Sequence, residues 1–155
     1  EIVSTKTRTI STKGFVVDGG YEGTGLFGEQ LFGQGGKYLT ITEGECDAMA
    51  VYEMFDKKWA SVSIKRGAAG AVRDIRDSIE FVEAFDNVII CFDNDKAGRE
   101  AARKVARSLS AYSQRKRRAR LKCFRYLARR RGTRYQNAVG WRKLLSEPCA
   151  GIGVI

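Results

Sequence analysis

Histidine is absent from all 155 residues. That excludes Ser-His-Asp triads, H-E-x-x-H metalloprotease sites and histidine general bases together, so any chemistry must rest on carboxylates, lysines, arginines and a metal. The four cysteines, Cys46, Cys91, Cys123 and Cys149, are scattered with no C-x-x-C pair. Zinc is therefore not predicted, and reduced thiols are expected. No G-x-x-x-x-G-K-[ST] stretch occurs, so a P-loop helicase is missing. Neither a run of about 18 apolar residues nor a secretory n-region with an apolar h-region is present, which predicts a soluble, cytoplasmic chain. Acid is missing from one part only. Residues 101–155 carry 16 Lys+Arg against the single acid Glu147, whereas residues 1–100 carry 12 against 17. The net charge of +10 thus describes two electrostatic objects in sequence.

What is present is organised around residues 87–95, Asn-Val-Ile-Ile-Cys-Phe-Asp-Asn-Asp. The apolar run predicts a strand buried on both faces, as in a parallel sheet. It ends in Asp93 and Asp95, whose two-residue spacing points both carboxylates the same way. At about 5 Å they repel by roughly 3 kcal/mol at an effective dielectric near 20, so such a pair takes up a proton, a cation or a basic partner. Magnesium suits an oxygen-only donor set. In the competing reading Asp95 merely caps the following helix and Asp93 faces water.

The length fits one domain. Residues 1–17 alternate polar and β-branched types and predict an antiparallel ribbon turning near 11–14. Lys6, Arg8 and Lys13 lie on it, either to hold phosphates or to guard a solvated edge strand. Gly23-Thr24-Gly25-Leu26-Phe27-Gly28 matches G-x-G-x-x-G, yet only four residues follow before Gly33 breaks the chain, too few for a dinucleotide-binding helix. A glycine-rich loop carrying Phe27, Leu31 and Phe32 onto the core is expected instead.

Residues 38–42 predict a second buried strand, again ending in acid: Glu43-Gly44-Glu45-Cys46-Asp47. A helix over about 46–55 follows, with Cys46, Met49 and Ala50 on one face. Residues 60–65 predict a third strand, and 67–70 a loop. A single helix then carries Val72, Ile75, Ile79 and Val82 inward and Arg73, Asp74, Asp77 and Glu80 outward. The last helix starts near Ala97 with Ala101, Val105 and Leu109 along one stripe. Strand–helix alternation predicts an α/β fold: a small, mainly parallel sheet flanked by helices, with the short ribbon before it.

An E-G-E-x-D strand end followed about fifty residues later by D-x-D-x-x-G-R, at Asp93 to Arg99, resembles the Toprim domain of DnaG-like primases, topoisomerases and related nucleases. Together with Leu26-Phe27-Gly28-Glu29-Gln30-Leu31-Phe32, these motifs are most similar to the primase–helicases of short-tailed bacteriophages. The resemblance covers about residues 1–108 and implies a Rossmann-like sheet. It implies that Glu43, Asp93 and Asp95 are catalytic and hold Mg²⁺, for which Mn²⁺ can substitute, with Asp47 as an auxiliary ligand. Glu43 either doubles as general base or serves as ligand alone. Lys6, Arg8 and Lys13 would meet the nucleotide phosphates. The implied activity is a DNA primase, a Mg-dependent nucleotidyltransferase making short RNA primers from ribonucleoside triphosphates on single-stranded DNA in a bacterial host. A helicase domain or subunit is an expected partner outside this stretch. The alternatives are a Toprim nuclease or recombination factor, and a non-catalytic DNA-binding fragment.

Three units are expected: the ribbon and glycine-rich loop (1–36), the Toprim domain (37–108) and a basic tail (109–155). In the tail, Arg115, Lys116, Arg117 and Arg118 are candidate nucleic-acid contacts. The abrupt loss of acids and the excess of arginine over lysine favour a tail that is out of frame or disordered over one selected to bind phosphates.

Overall fold

The computed structural model describes residues 2–115 other than 3, 10, 13 and 34, together with 123–126 and 153–154. Strands β1 (Thr5–Arg8) and β2 (Phe15–Asp18) form an antiparallel ribbon in which Lys6 faces Val17, and Thr9 N–H closes the turn onto the Gly14 carbonyl. The sheet proper contains β3 (Gly36–Thr42), β4 (Ala60–Ser63) and β5 (Phe85–Cys91), extended by the short strands β6 (Cys123–Tyr126) and β7 (Gly153–Val154). All pairings in it are parallel, in the order β4-β3-β5-β6-β7. The helices are α1 (Glu45–Met54), α2 (Gly67–Asp77), α3 (Ile79–Glu83) and α4 (Lys96–Arg115).

The order of strands positions the site. From β3 the chain steps outward to β4, returns past β3 to β5, and then steps the other way to β6. Right-handed crossovers put α1 on one face and α2 and α4 on the other. The connections leaving β3 and β5 therefore diverge, opening a crevice at their carboxyl ends, where open α/β sheets take their ligands. The core matches the apolar pattern that predicted it: Leu39, Ile41, Val62, Val88 and Ile90 are buried between the layers, and α4 adds Ala101, Val105 and Leu109. Its helix runs on to Arg115, across the boundary expected near 108.

Several local expectations are corrected. The continuous helix over 72–82 breaks at Ser78, whose φ of −111° and ψ of 24° leave helical backbone. Periodicity misses the break because Ile75 and Val82, two turns apart, reach the core on either side of it. Asp74 is fully buried rather than outward. The predicted loop at 67–70 is the first turn of α2. On α1 the buried residues are Ala48 and Val51, while Cys46 and Met49 face solvent. The glycine-rich loop makes only a 3-10 turn, Glu29–Leu31, consistent with rejecting a dinucleotide fingerprint. It inserts Leu26 into the core, leaving Phe27 and Leu31 exposed and Phe32 partly buried. The reason is backbone pairing. Phe27 and Ser63 exchange hydrogen bonds of 3.0 and 3.2 Å, so the loop docks on β4 by its main chain. No helix among the described residues is long and apolar enough to cross a membrane.

Candidate active site

Glu43 follows β3 and Asp93 follows β5 on facing sides of the crevice. Register brings them level: Thr42 pairs with Cys91, and the Asp93 N–H donates to Glu43 Oε2 at 3.4 Å. Burial pushes the Glu43 carboxyl above its ordinary 4.5, and repulsion from Asp93 and Asp95 adds to this against the Asp93 N–H. Asp95 accepts from the Gly98 N–H at 2.8 Å, the helix-capping geometry of the plainer reading. That bond uses one oxygen and leaves the other available, so capping and ligation are compatible. The glycine of D-x-D-x-x-G has a steric cause, because a Cβ at Gly98 would run into the Asp93 carbonyl. At Gly44 a Cβ would lie 3.1 Å from Asp47 Oδ2, so the Asp47 carboxylate folds back over the turn.

These acids are neighbours and do not form a closed cage. Among the described residues no group of three or more Asp, Glu, Cys or His is drawn together closely enough to hold a metal. The donor set nonetheless fits magnesium, which takes one or two carboxylates and keeps several waters. Mutual repulsion at a half-buried Glu43 is what a cation at this edge would relieve.

With its pKa raised, folded Glu43 keeps its proton above pH 4.5 more readily than the unfolded chain does. The contribution of Glu43 to stability is fullest below pH 4.5 and is lost as pH rises through the folded value. Glu43→Gln should therefore melt higher than the parent chain at neutral pH. The gain should vanish below pH 4.5, as melting curves across that range would show.

Of the basic candidates, Lys6 is brought to this edge. Its Nζ lies 2.5 Å from Glu45 Oε1, in the acidic turn itself, and 4.7 Å from the Phe15 ring centre. Arg8 lies over the same ring at 5.3 Å. Lys13 and residues 116–118 lie outside the described residues, and of Arg115 only the backbone is described. Three residues were missed by sequence reasoning. Glu45 was read only as part of the motif. Asp74 was assigned to solvent by its charge, although Ala71 and Ile75 beside it are core. Lys65, at the end of a buried strand, is itself only 7% exposed.

A parallel sheet with carboxylates facing across its switch point, and a basic ribbon reaching the same edge, has the crevice in which open α/β sheets take their ligands. The chain belongs to the Toprim-like family, which matches residues 40–124. That match runs through α4 into β6. The chain is similar to the DNA helicase/primase of Enterobacteria phage T3, 38% identical over 110 residues, 71% of this chain and 19% of that protein. It therefore spans about a fifth of that relative's length. The primase fragment of the bacteriophage T7 primase-helicase protein has the same fold, with a TM-score of 0.65 and 38% identity over 70% of this chain and 44% of the other. A second T7 structure, of the lagging-strand DNA polymerase with primase domains bound to an RNA/DNA hybrid and dTTP, matches with a TM-score of 0.64, at 37% identity over 70% of this chain and 54% of the other. The DnaG catalytic core shares the fold at 22% identity, with a TM-score of 0.60 over 92% of this chain and 44% of that one.

Proposed function

We propose that this chain carries the catalytic core of a DNA primase, joining ribonucleoside triphosphates into short RNA primers on a single-stranded DNA template. The observation that supports it most is the meeting of opposite charges: ribbon Lys6 reaches the acidic turn that holds Glu43. A nucleotide triphosphate is the ligand that needs both, with cations for its oxygens and carboxylates for its metal. Glu43, Asp93 and Asp95 would hold Mg²⁺, with Asp47 beside them as an auxiliary ligand. When bound, the metal supplies charge neutralisation at the reacting phosphate. Lys6, Arg8 and Lys13 bind and orient the triphosphate tail, Lys6 by exchanging Glu45 for phosphate oxygen. Arg115, Lys116, Arg117 and Arg118 add sequence-independent contacts to the template. A helicase domain or subunit is the expected partner, in a bacterial host's cytoplasm.

The test is primer synthesis beside nicking. Full-length chain with Mg²⁺, NTPs and single-stranded DNA should make short RNA. Cleavage of DNA without any NTP requirement would instead identify a nuclease. DNA binding that survives loss of every carboxylate, with no chemistry, would identify a binding module.

A second expectation separates the ribbon from the template. Lys6→Ala combined with Lys13→Ala removes two charge-assisted contacts of about 1.5–3 kcal/mol each. The KM for NTPs should rise roughly a hundredfold or more, with little change in DNA affinity. Equal losses in both would move the lysines to the DNA.

A further inference from the structure

Lys65 is buried at the carboxyl end of β4, where the Ile64 N–H still pairs with the Thr42 carbonyl, so it stands on the sheet edge next to the Glu43 turn. Its ammonium does not point at the acids. It donates to Thr24 twice, to Oγ1 at 2.8 Å and to the backbone carbonyl, and Thr24 Oγ1 donates on to the Tyr21 carbonyl at 2.9 Å. The Tyr21 ring lies 5.9 Å from Lys65 Nζ and 5.1 Å from the Arg66 guanidinium. Behind this knot, Asp74 accepts from the Lys65 and Arg66 N–H groups at 2.7 and 2.9 Å.

Such a knot is costly. Burial pushes the Lys65 ammonium below its ordinary range, with Asp74 opposing. A methionine would fill the space without that cost. What the charge gains is a fixed point in the loop six residues beyond β2, while the strands of the ribbon pack chiefly against each other. The ribbon's aim thus depends on a half-exposed tether, Lys6–Glu45, and a buried one, Lys65–Thr24.

We propose that Lys65 is a positioning residue: by clasping Thr24 it holds the basic ribbon over the acidic edge and so sets the affinity for the incoming nucleotide. This deepens the primase reading and rests on it for the nucleotide, though not for the clasp. The test compares full-length Lys65→Met, Lys65→Arg and Thr24→Val with the parent chain by amide hydrogen exchange and by primer synthesis. In Lys65→Met, amides of residues 5–8 and 15–18 should exchange at least about tenfold faster, while those of β5 and α4 do not change. The KM for NTPs should rise by a similar factor with kcat within about twofold. Lys65→Arg, which keeps the donors, should recover most of both effects, and Thr24→Val, which keeps the carbonyl, should fall between. Ribbon exchange unchanged in folded Lys65→Met overturns the clasp, as does a fall in kcat with KM unchanged. If Lys65→Met does not fold, unchanged ribbon exchange in Thr24→Val overturns it. If the parent chain makes no primers, the primase reading fails, and exchange alone decides the clasp.

Discussion

Primer synthesis by Asp95→Asn is expected to fall by about 10²–10³-fold, the loss usual when one preorganised charge at a reacting centre is removed. The substitution is chosen because Asp95 has two tasks. Its Oδ1 accepts the Gly98 N–H at 2.8 Å and so caps α4, and asparagine keeps that oxygen and caps equally well. Only the charge at the carboxyl end of β5 is lost, so the melting temperature should stay within about 2 °C, less than 1 kcal/mol in a domain of this size. Glu43→Gln should lose synthesis to a similar degree while melting higher at neutral pH. Opposite signs in activity and stability would mark a carboxylate kept for function against the preference of the fold. Near-normal synthesis by either variant would remove these acids from the site.

Asp74→Ala should destabilise the fold by about 3–5 kcal/mol. The Asp74 carboxylate is fully buried, accepts two backbone N–H groups and pairs with the Arg66 guanidinium. Its removal leaves Arg66 with only the longer, more exposed pair to Asp77 at 3.4 Å, and both N–H groups without their acceptor. Against a total of about 5–15 kcal/mol this is a large share, equivalent to a fall of roughly 10 °C or more in melting temperature. Urea unfolding would measure it directly. Lys57→Ala breaks the exposed pair with Glu53 and serves as the contrast, with an expected change below about 0.5 kcal/mol. Comparable losses in the two variants would mean that the buried network contributes nothing beyond a surface ion pair.

The sequence alone determined the layers and the acids. Runs such as Val88–Ile89–Ile90 read as central strands, because both of their faces need cover and β-branched types dominate them. The acids that end those runs, Glu43 and Asp93, must then emerge at one edge of a parallel sheet. Local spacing is enough for both conclusions. What it could not determine was which charge is turned inward. Asp74 and Lys65 look like surface residues by type, and only tertiary contact with Arg66, Thr24 and two backbone N–H groups makes their burial tolerable. The Lys6–Glu45 pair spans 39 residues, and the Phe27–Ser63 exchange joins a loop to a strand that no periodicity connects. The order β4-β3-β5, which puts Glu43 and Asp93 on facing sides of one crevice, is likewise tertiary. Strand order is set by how the crossover helices pack on the two faces, and that is a property of the assembled sheet rather than of any one stretch of chain.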